Sequence, residues 1–210
     1  MTTSRIYERY TIPPNLIRHQ LEVTAVGRWV CDHWVGQDIN EELITQALLL
    51  HDMGNIIKFK RPFLGELEKD HTHWENVQEE FIATYGNDVH TATDAIVNEL
   101  GLPEVFDLLQ QMEAVWKDPE HEQSWDAKIC EYADCCVTPE GIVGFEIRIA
   151  DLKNRYDMTD TSQHVILATK NAREVEENYK GDLLQEDWQP LLSRLSTFDL
   201  ISSPNIGEEE

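Results

Sequence analysis

Most glycines and prolines in this chain fall between its apolar segments, and within the segments apolar residues recur every three or four positions. That spacing lines up one face of a helix, and alternating β-branched runs, which would favour strands, are few. Pro13-Pro14 followed by Asn15 is a helix start, after which Ile17, Leu21, Ala25, Trp29 and Val30 repeat at helical spacing to about Trp34. Asn40 can cap a second helix from Glu41 to about Met53, stopped by Gly54. The stretch 56–70 reads as an irregular loop. Further helices are expected over about 74–85, 89–100, 104–116, 125–137, 141–156 and 161–179, with a last one near 185–197. The expectation is therefore an all-α, single-domain bundle of about 8–9 helices over 15–200, with an N-terminal segment 1–14 and an acidic flexible tail 201–210.

Length and charge narrow the function. At 210 residues the chain can bury one good-sized core. Its 17 basic and 40 acidic residues give a formal net charge of −23. Such a surface repels polyanions, so extended contact with nucleic acid is not expected, whereas a small phosphorylated molecule meets only a local field. No apolar run approaches the roughly 20 residues that span a bilayer, and "MTTSRIYERYTIPPN" lacks the apolar centre of a signal peptide. Cys31, Cys130, Cys135 and Cys136 show no C-x-x-C spacing and suit a reducing cytoplasm. The adjacent Cys135 and Cys136 read as helix packing. The oligomeric state stays open, a homodimer included.

Three expected helices each present a polar residue from an apolar face. His19 is in register with Val23, Val26 and Val30, and His51 with Ile44, Ala47 and Leu48. Asp134, in "CEYADCCV", aligns with Ala127, Cys130 and Val137. A single such residue is ordinarily a hydrogen-bonded core histidine or a helix cap. Three together, with Asp52 about 100° around the helix from His51, form a set that can converge on a cation at the core's edge.

The pattern His19 … His51-Asp52 … Asp134, with the dipeptide set in "ALLLHDMGN" and the closing Asp in "YAD", resembles the H…HD…D signature of the HD-domain superfamily. The resemblance covers about residues 15 to 140. It implies an HD-type helical bundle, and a metal-dependent phosphohydrolase acting on a nucleotide or other small phosphorylated metabolite. Carried over, it makes His19, His51, Asp52 and Asp134 the ligands of one divalent ion (Mn, Mg, Fe, Co, Ni or Zn, which this N/O ligand set does not separate). "VHTATDAIVNELGLPEVF" also resembles an HD segment whose His belongs to a second metal in two-metal members. The His pair that completes that second site is missing from "QMEAVWKD", which implies one metal and leaves His90 as proton donor or substrate contact. "DCCVTPEGIVGFEIRIADLKNRY" resembles the tail of a small bacterial and archaeal HD group without a known substrate. Asn55 stands where the cyclic-dinucleotide phosphodiesterase branch carries Lys and one 5′-nucleotidase branch carries Glu, so neither activity transfers.

In such a site Asp52 or a nearby His would take or deliver a proton. Lys58, directly after the motif, is the leading phosphate contact. Arg18 ranks lower, because a helical neighbour of His19 points about 100° away. Arg148 and Arg155 share a face and can equally pair with Asp151. His71-x-His73 suits a site only in an extended loop. His33, His121 and His164 have no partner pattern, and Trp74 and Phe59 are candidates to stack on a base or to pin the loop. Two other readings compete with the enzyme: a metal- or nucleotide-binding sensor without turnover, and, disfavoured by the missing histidines, a di-iron oxygenase.

Overall fold

The computed structural model describes residues 1–118 and 122–201. Ten α-helices lie among them: α1 Thr3–Arg9, α2 Pro14–Asp32, α3 Glu41–Leu50, α4 His71–Tyr85, α5 Val89–Glu99, α6 Pro103–Lys117, α7 Trp125–Asp134, α8 Phe145–Tyr156, α9 Gln163–Glu176 and α10 Gln189–Leu195. The only sheet among the described residues is a hairpin, β1 Val137–Thr138 against β2 Gly141–Ile142. The chain is an all-α single domain.

The centre is built from α2, α3 and α7. Pro13 and Pro14 start α2 without a side-chain cap, since Pro at the first helical position lacks an N–H that would be unpaired anyway. Val23, Val26 and Val30 on its inner face are fully buried. The Asn40 side chain caps α3 by accepting from Leu43 N–H (3.1 Å), and Glu41 and Glu42 favour the positive end of the helix. Ser124 caps α7 in the same way, accepting from Ala127 N–H at 3.2 Å. Both α3 and α7 pack on α2 and on each other, while α6 and α9 cover α7 and α10 covers α2. Gly27 makes the crossing possible, because a Cβ there would collide with Leu48 Cδ1 on α3.

Several boundaries depart from the periodicity, each for a local reason. Expected helices 125–137 and 141–156 are separated by the hairpin, which turns at Pro139 and uses Gly141 and Gly144 at φ 129° and 80°. The Val143 and Gly144 N–H groups both donate to the Cys136 carbonyl, which holds the hairpin against the end of α7. Helix α3 stops at Leu50, not Met53, and the chain tightens through 51–54 into a 3₁₀ turn at Asn55–Lys58. The stretch expected to be irregular holds a second 3₁₀ turn, Gly65–Asp70, and α4 begins at His71, not Trp74. The N-terminal segment 1–14 contains α1, whose Ile6 and Tyr7 are buried; Tyr7 OH donates to the Leu49 carbonyl of α3 at 2.8 Å. Apart from Ile201, the tail 201–210 lies outside the described residues, as does His121.

Candidate metal centre

Each member of the His/Asp set occupies a place its helix dictates. His19 lies one turn into α2, His51 and Asp52 follow the last residue of α3, and Asp134 ends α7. His19 Nε2 lies 3.2 Å from Asp134 Oδ1 and 3.5 Å from Asp52 Oδ2. His51 Nε2 lies 3.8 Å from each of the same two oxygens. The two rings are tilted, with centroids 5.6 Å apart.

The end of α3 orients His51. The last carbonyls of a helix lack intrahelical partners, and one of them, Leu48 C=O, accepts from His51 Nδ1 at 2.7 Å. That bond fixes the tautomer and leaves Nε2 for a cation, the arrangement usual for a ligating imidazole. His51 Nε2 and Asp134 Oδ1 are both buried, and neither makes a well-formed hydrogen bond. Two buried atoms of ligand type left in that condition are what a cation would satisfy.

The donor set fits a cation. Metal–ligand bonds of about 2.0–2.2 Å place neighbouring donor atoms about 3 to 4 Å apart. Ligand atoms of His19, His51 and Asp134 all lie within 4.8 Å of one another. Asp52 falls outside that tightest group of three but keeps its Oδ2 within 3.5 and 3.8 Å of the two imidazoles. In the absence of an ion, the charges lean on each other. Burial disfavours the charged form of His19, but the carboxylates of Asp134 and Asp52 outweigh it and raise its pKa to about 10. His51 is raised against the same burial by the same two carboxylates. Burial would raise Asp52, yet His51, His19 and Lys58 hold it down at about 2. Asp134 is likewise held well below the carboxylate range.

Two cavities meet at this centre, since Asp52 lines both. One, of about 190 Å³, is cationic: Arg18, Lys58, Arg148 and Arg155 line it together with His19 and the buried Asn55. Lys58 makes no ion pair among the described residues, whereas Arg18 pairs with Glu66 (2.9 Å), and Asp151 clamps Arg148 (3.1 Å) and Arg155 (2.6 Å). Arg18 thus reaches the site despite its offset from His19. The other cavity, of about 140 Å³, is acidic and apolar, lined by His90, Asp94, Leu109, Met112, Glu113 and Glu131 beside the cluster.

The structure brings together His19, His51, Asp52 and Asp134, with Lys58 beside them. His90 stands off, lining the acidic cavity with its Nδ1 2.8 Å from Glu113 Oε1. His71 and His73 sit in the first turn of α4, not in an extended loop, and line neither cavity; His71 faces Glu75 at 3.3 Å and His73 rests on Trp74. His33 donates to the Trp29 carbonyl (2.8 Å) and stacks on that indole, and His164 lines neither cavity. Phe59 lines the cationic cavity, while Trp74 packs against the core. Cys136 is fully buried, but Cys135 reaches the acidic cavity.

One site residue escaped the sequence reading. Glu131 is 8% exposed, and burial lifts its carboxyl to about 7, an effect the amides of Gln123 and Asn171 only partly offset. Its signal was available, because it lies three residues before Asp134 and so shares a side of α7.

No protein-family model, curated protein or solved structure matches this chain.

Proposed function

We propose that this chain is a metal-dependent phosphohydrolase acting on a nucleotide or other small phosphorylated metabolite, through one divalent cation held by His19, His51, Asp52 and Asp134. The observation that carries the proposal is the convergence of two imidazoles and two carboxylates in which His51 Nε2 and Asp134 Oδ1 are buried without satisfied hydrogen bonds. A divalent ion in such a site supplies Lewis acidity at a phosphoryl oxygen and a more acidic bound water. The resemblance of the H…HD…D pattern to the HD-domain superfamily supports the same reading.

The chain's own groups take the remaining roles. Lys58, with no ion pair among the described residues and beside Asp52, attracts the anionic end of the substrate into the cationic cavity. Arg148, held by Asp151, adds a fixed positive charge to the wall. Asp52, at about 2, stays ionised at neutral pH and can accept a hydrogen bond from an incoming hydroxyl. His90, its Nδ1 resting on Glu113, presents Nε2 as a proton donor for the leaving oxygen on the acidic side. The four free cysteines support a reducing cytoplasm as the protein's location. No helix among the described residues is long and apolar enough to cross a membrane.

A metal- or nucleotide-binding sensor is the second reading, favoured by Asn55, a neutral residue buried in the wall of the cationic cavity. Metal analysis followed by a phosphatase screen with Mn²⁺, Mg²⁺, Co²⁺ and Ni²⁺ separates the two. Hydrolysis that is lost in Asp52→Ala while the helical signal is retained supports the enzyme. Metal binding with no turnover across nucleotides and sugar phosphates supports the sensor, and two iron atoms per chain would overturn the single-metal assignment.

A further inference from the structure

Basic residues are scarce in this chain, 17 against 40 acidic ones, yet four of them line a single cavity. Arg18 comes from α2, Lys58 from the 3₁₀ turn after α3, and Arg148 and Arg155 from α8. Among the described residues the only acidic side chain in that lining is Asp52, a candidate metal ligand. The hairpin β1–β2 packs on α2, and β1 also packs on α8, so the turn at Pro139 brings the two α8 arginines to the cavity.

Those two arginines are held as a pair. They stand two helical turns apart on one face of α8, with Asp151 between them on the same face. Arg148 Nη1 donates to Asp151 Oδ2 at 3.1 Å, and Arg155 Nη2 lies 2.6 Å from the same oxygen. Arg155 Nε donates to Asp151 Oδ1 at 2.8 Å. Two guanidinium groups thus meet at one carboxylate, and the three side chains together keep a positive charge. Both arginines line the cavity and Asp151 does not, so the carboxylate grips them from outside it. A guanidinium has five N–H donors, and one carboxylate engages only some of those the pair offers. Arg148 Nε, for one, is buried and makes no hydrogen bond. An ion pair this close to solvent contributes little to stability, and crowding two like charges on one carboxylate subtracts from that. A bound anion gives the arrangement a use.

We propose that this face of α8 is a phosphate-binding subsite that works without the metal, with Arg148 and Arg155 as its donors and Asp151 as the residue that positions them. The inference rests on the phosphohydrolase reading only for the identity of the anion. Planar guanidinium forks match the spacing of phosphate oxygens, and Lys58 in the same cavity adds a point charge. The role of Asp151 has a consequence that runs against simple electrostatics. Its negative charge stands beside an anion site, so by field alone its neutralisation would tighten phosphate binding. As a positioning residue it has the opposite effect. Released from the carboxylate, two long side chains regain rotamer freedom that the anion must then remove, and binding weakens.

The test titrates the full chain with inorganic phosphate, followed by its ³¹P resonance, once in chelator and once loaded with Mg²⁺. Phosphate should bind saturably in both states. Arg155→Gln removes a charge-assisted donor and should weaken binding in chelator about tenfold. Lys153→Gln removes the same charge from the same helix but outside the cavity lining, and should change affinity by less than about twofold at physiological salt. Asp151→Asn should weaken binding about threefold or more, and Asp151→Glu, which restores a carboxylate, should recover part of the loss. If Asp151→Asn loses its helical signal, the comparison of Arg155→Gln with Lys153→Gln decides the matter. Tighter phosphate binding in a folded Asp151→Asn, equal losses in Arg155→Gln and Lys153→Gln, or phosphate binding that appears only with Mg²⁺ would overturn the subsite. Phosphate bound in chelator by a chain that hydrolyses no ester would leave the subsite standing and remove the phosphohydrolase reading. Hydrolysis whose KM is untouched by Arg155→Gln would do the reverse.

Discussion

Glu131→Gln has a consequence for stability whose size follows from the burial of the side chain. In the folded chain burial lifts the Glu131 carboxyl from 4.5 to about 7. Below pH 4.5 the group is protonated whether the chain is folded or not, and its titration takes nothing from stability. Between 4.5 and 7 the unfolded chain ionises while the folded one does not, so stability falls as pH rises; above 7 the loss is complete. At about 1.4 kcal/mol for each tenfold change in proton affinity, the gap amounts to ~3 kcal/mol. Glutamine does not titrate. The variant should therefore gain on the wild type by ~3 kcal/mol between pH 4.5 and 8. Urea unfolding followed by circular dichroism, in chelator and at several pH values, measures it. His19 and His51 titrate in both proteins and drop out of the difference. Asp134 contributes to raising Glu131, so adding Mn²⁺ should narrow the gap. A difference between variant and wild type that is flat from pH 5 to 8, or that moves against the variant, would refute the reasoning.

Two further outcomes follow from the same geometry. A Cβ at Gly54 would collide with the Val89 carbonyl oxygen and lie 2.8 Å from Ala92 Cβ, so Gly54→Ala should cost about 1–3 kcal/mol in urea unfolding and weaken Mn²⁺ binding, since the turn it displaces carries His51 and Asp52. With His19 raised to about 10, its imidazole carries an extra proton at neutral pH, and a cation has to displace it; the same carboxylates shift His51 in the same direction. Mn²⁺ binding at pH 7 should release about one proton or more per ion and tighten as pH rises, read as a dependence of binding enthalpy on the buffer's ionisation enthalpy; no such dependence would contradict the ligand assignment.

The central helices were legible because their signals are local. Pro14 and Asn40 mark the starts of α2 and α3, and apolar period does the rest; Gly54, expected to stop α3, lies four residues past its end. The same period places His19, His51 and Asp134 on inward faces, and the structure brings them together. What periodicity misses is set by a few residues of backbone chemistry. Cys135 to Val143 contains enough apolar residues to pass as helix, yet Pro139 and two glycines at positive φ fold it into a hairpin. Helix α1 is only seven residues long, and its place is set by Tyr7 reaching Leu49 across 42 residues of chain, a contact no local window contains. Arg18 shows the same limit at the site. Its angle from His19 on α2 is as expected, but its long side chain reaches Glu66 and the rim of the cationic cavity. Which carboxyl groups line the cavities at Asp52 was not legible at all, because it depends on which of 40 acidic residues end up there.

The turn after α3 is tied to α5 by one bond that has a use of its own. Gly54 N–H donates to Thr93 Oγ1 at 3.0 Å, while Thr93 Oγ1 donates to the Val89 carbonyl at the same distance. The amide sits two residues from Asp52, and Thr93 stands beside Asp94 in the lining of the acidic cavity. A single backbone proton therefore links the ligand-bearing turn to the wall of the acidic cavity. Its hydrogen-exchange rate measures how often the two part, without reference to any substrate. A ligand that spans the two cavities should slow that one proton more than its neighbours on α3, giving a spectroscopic readout of occupancy.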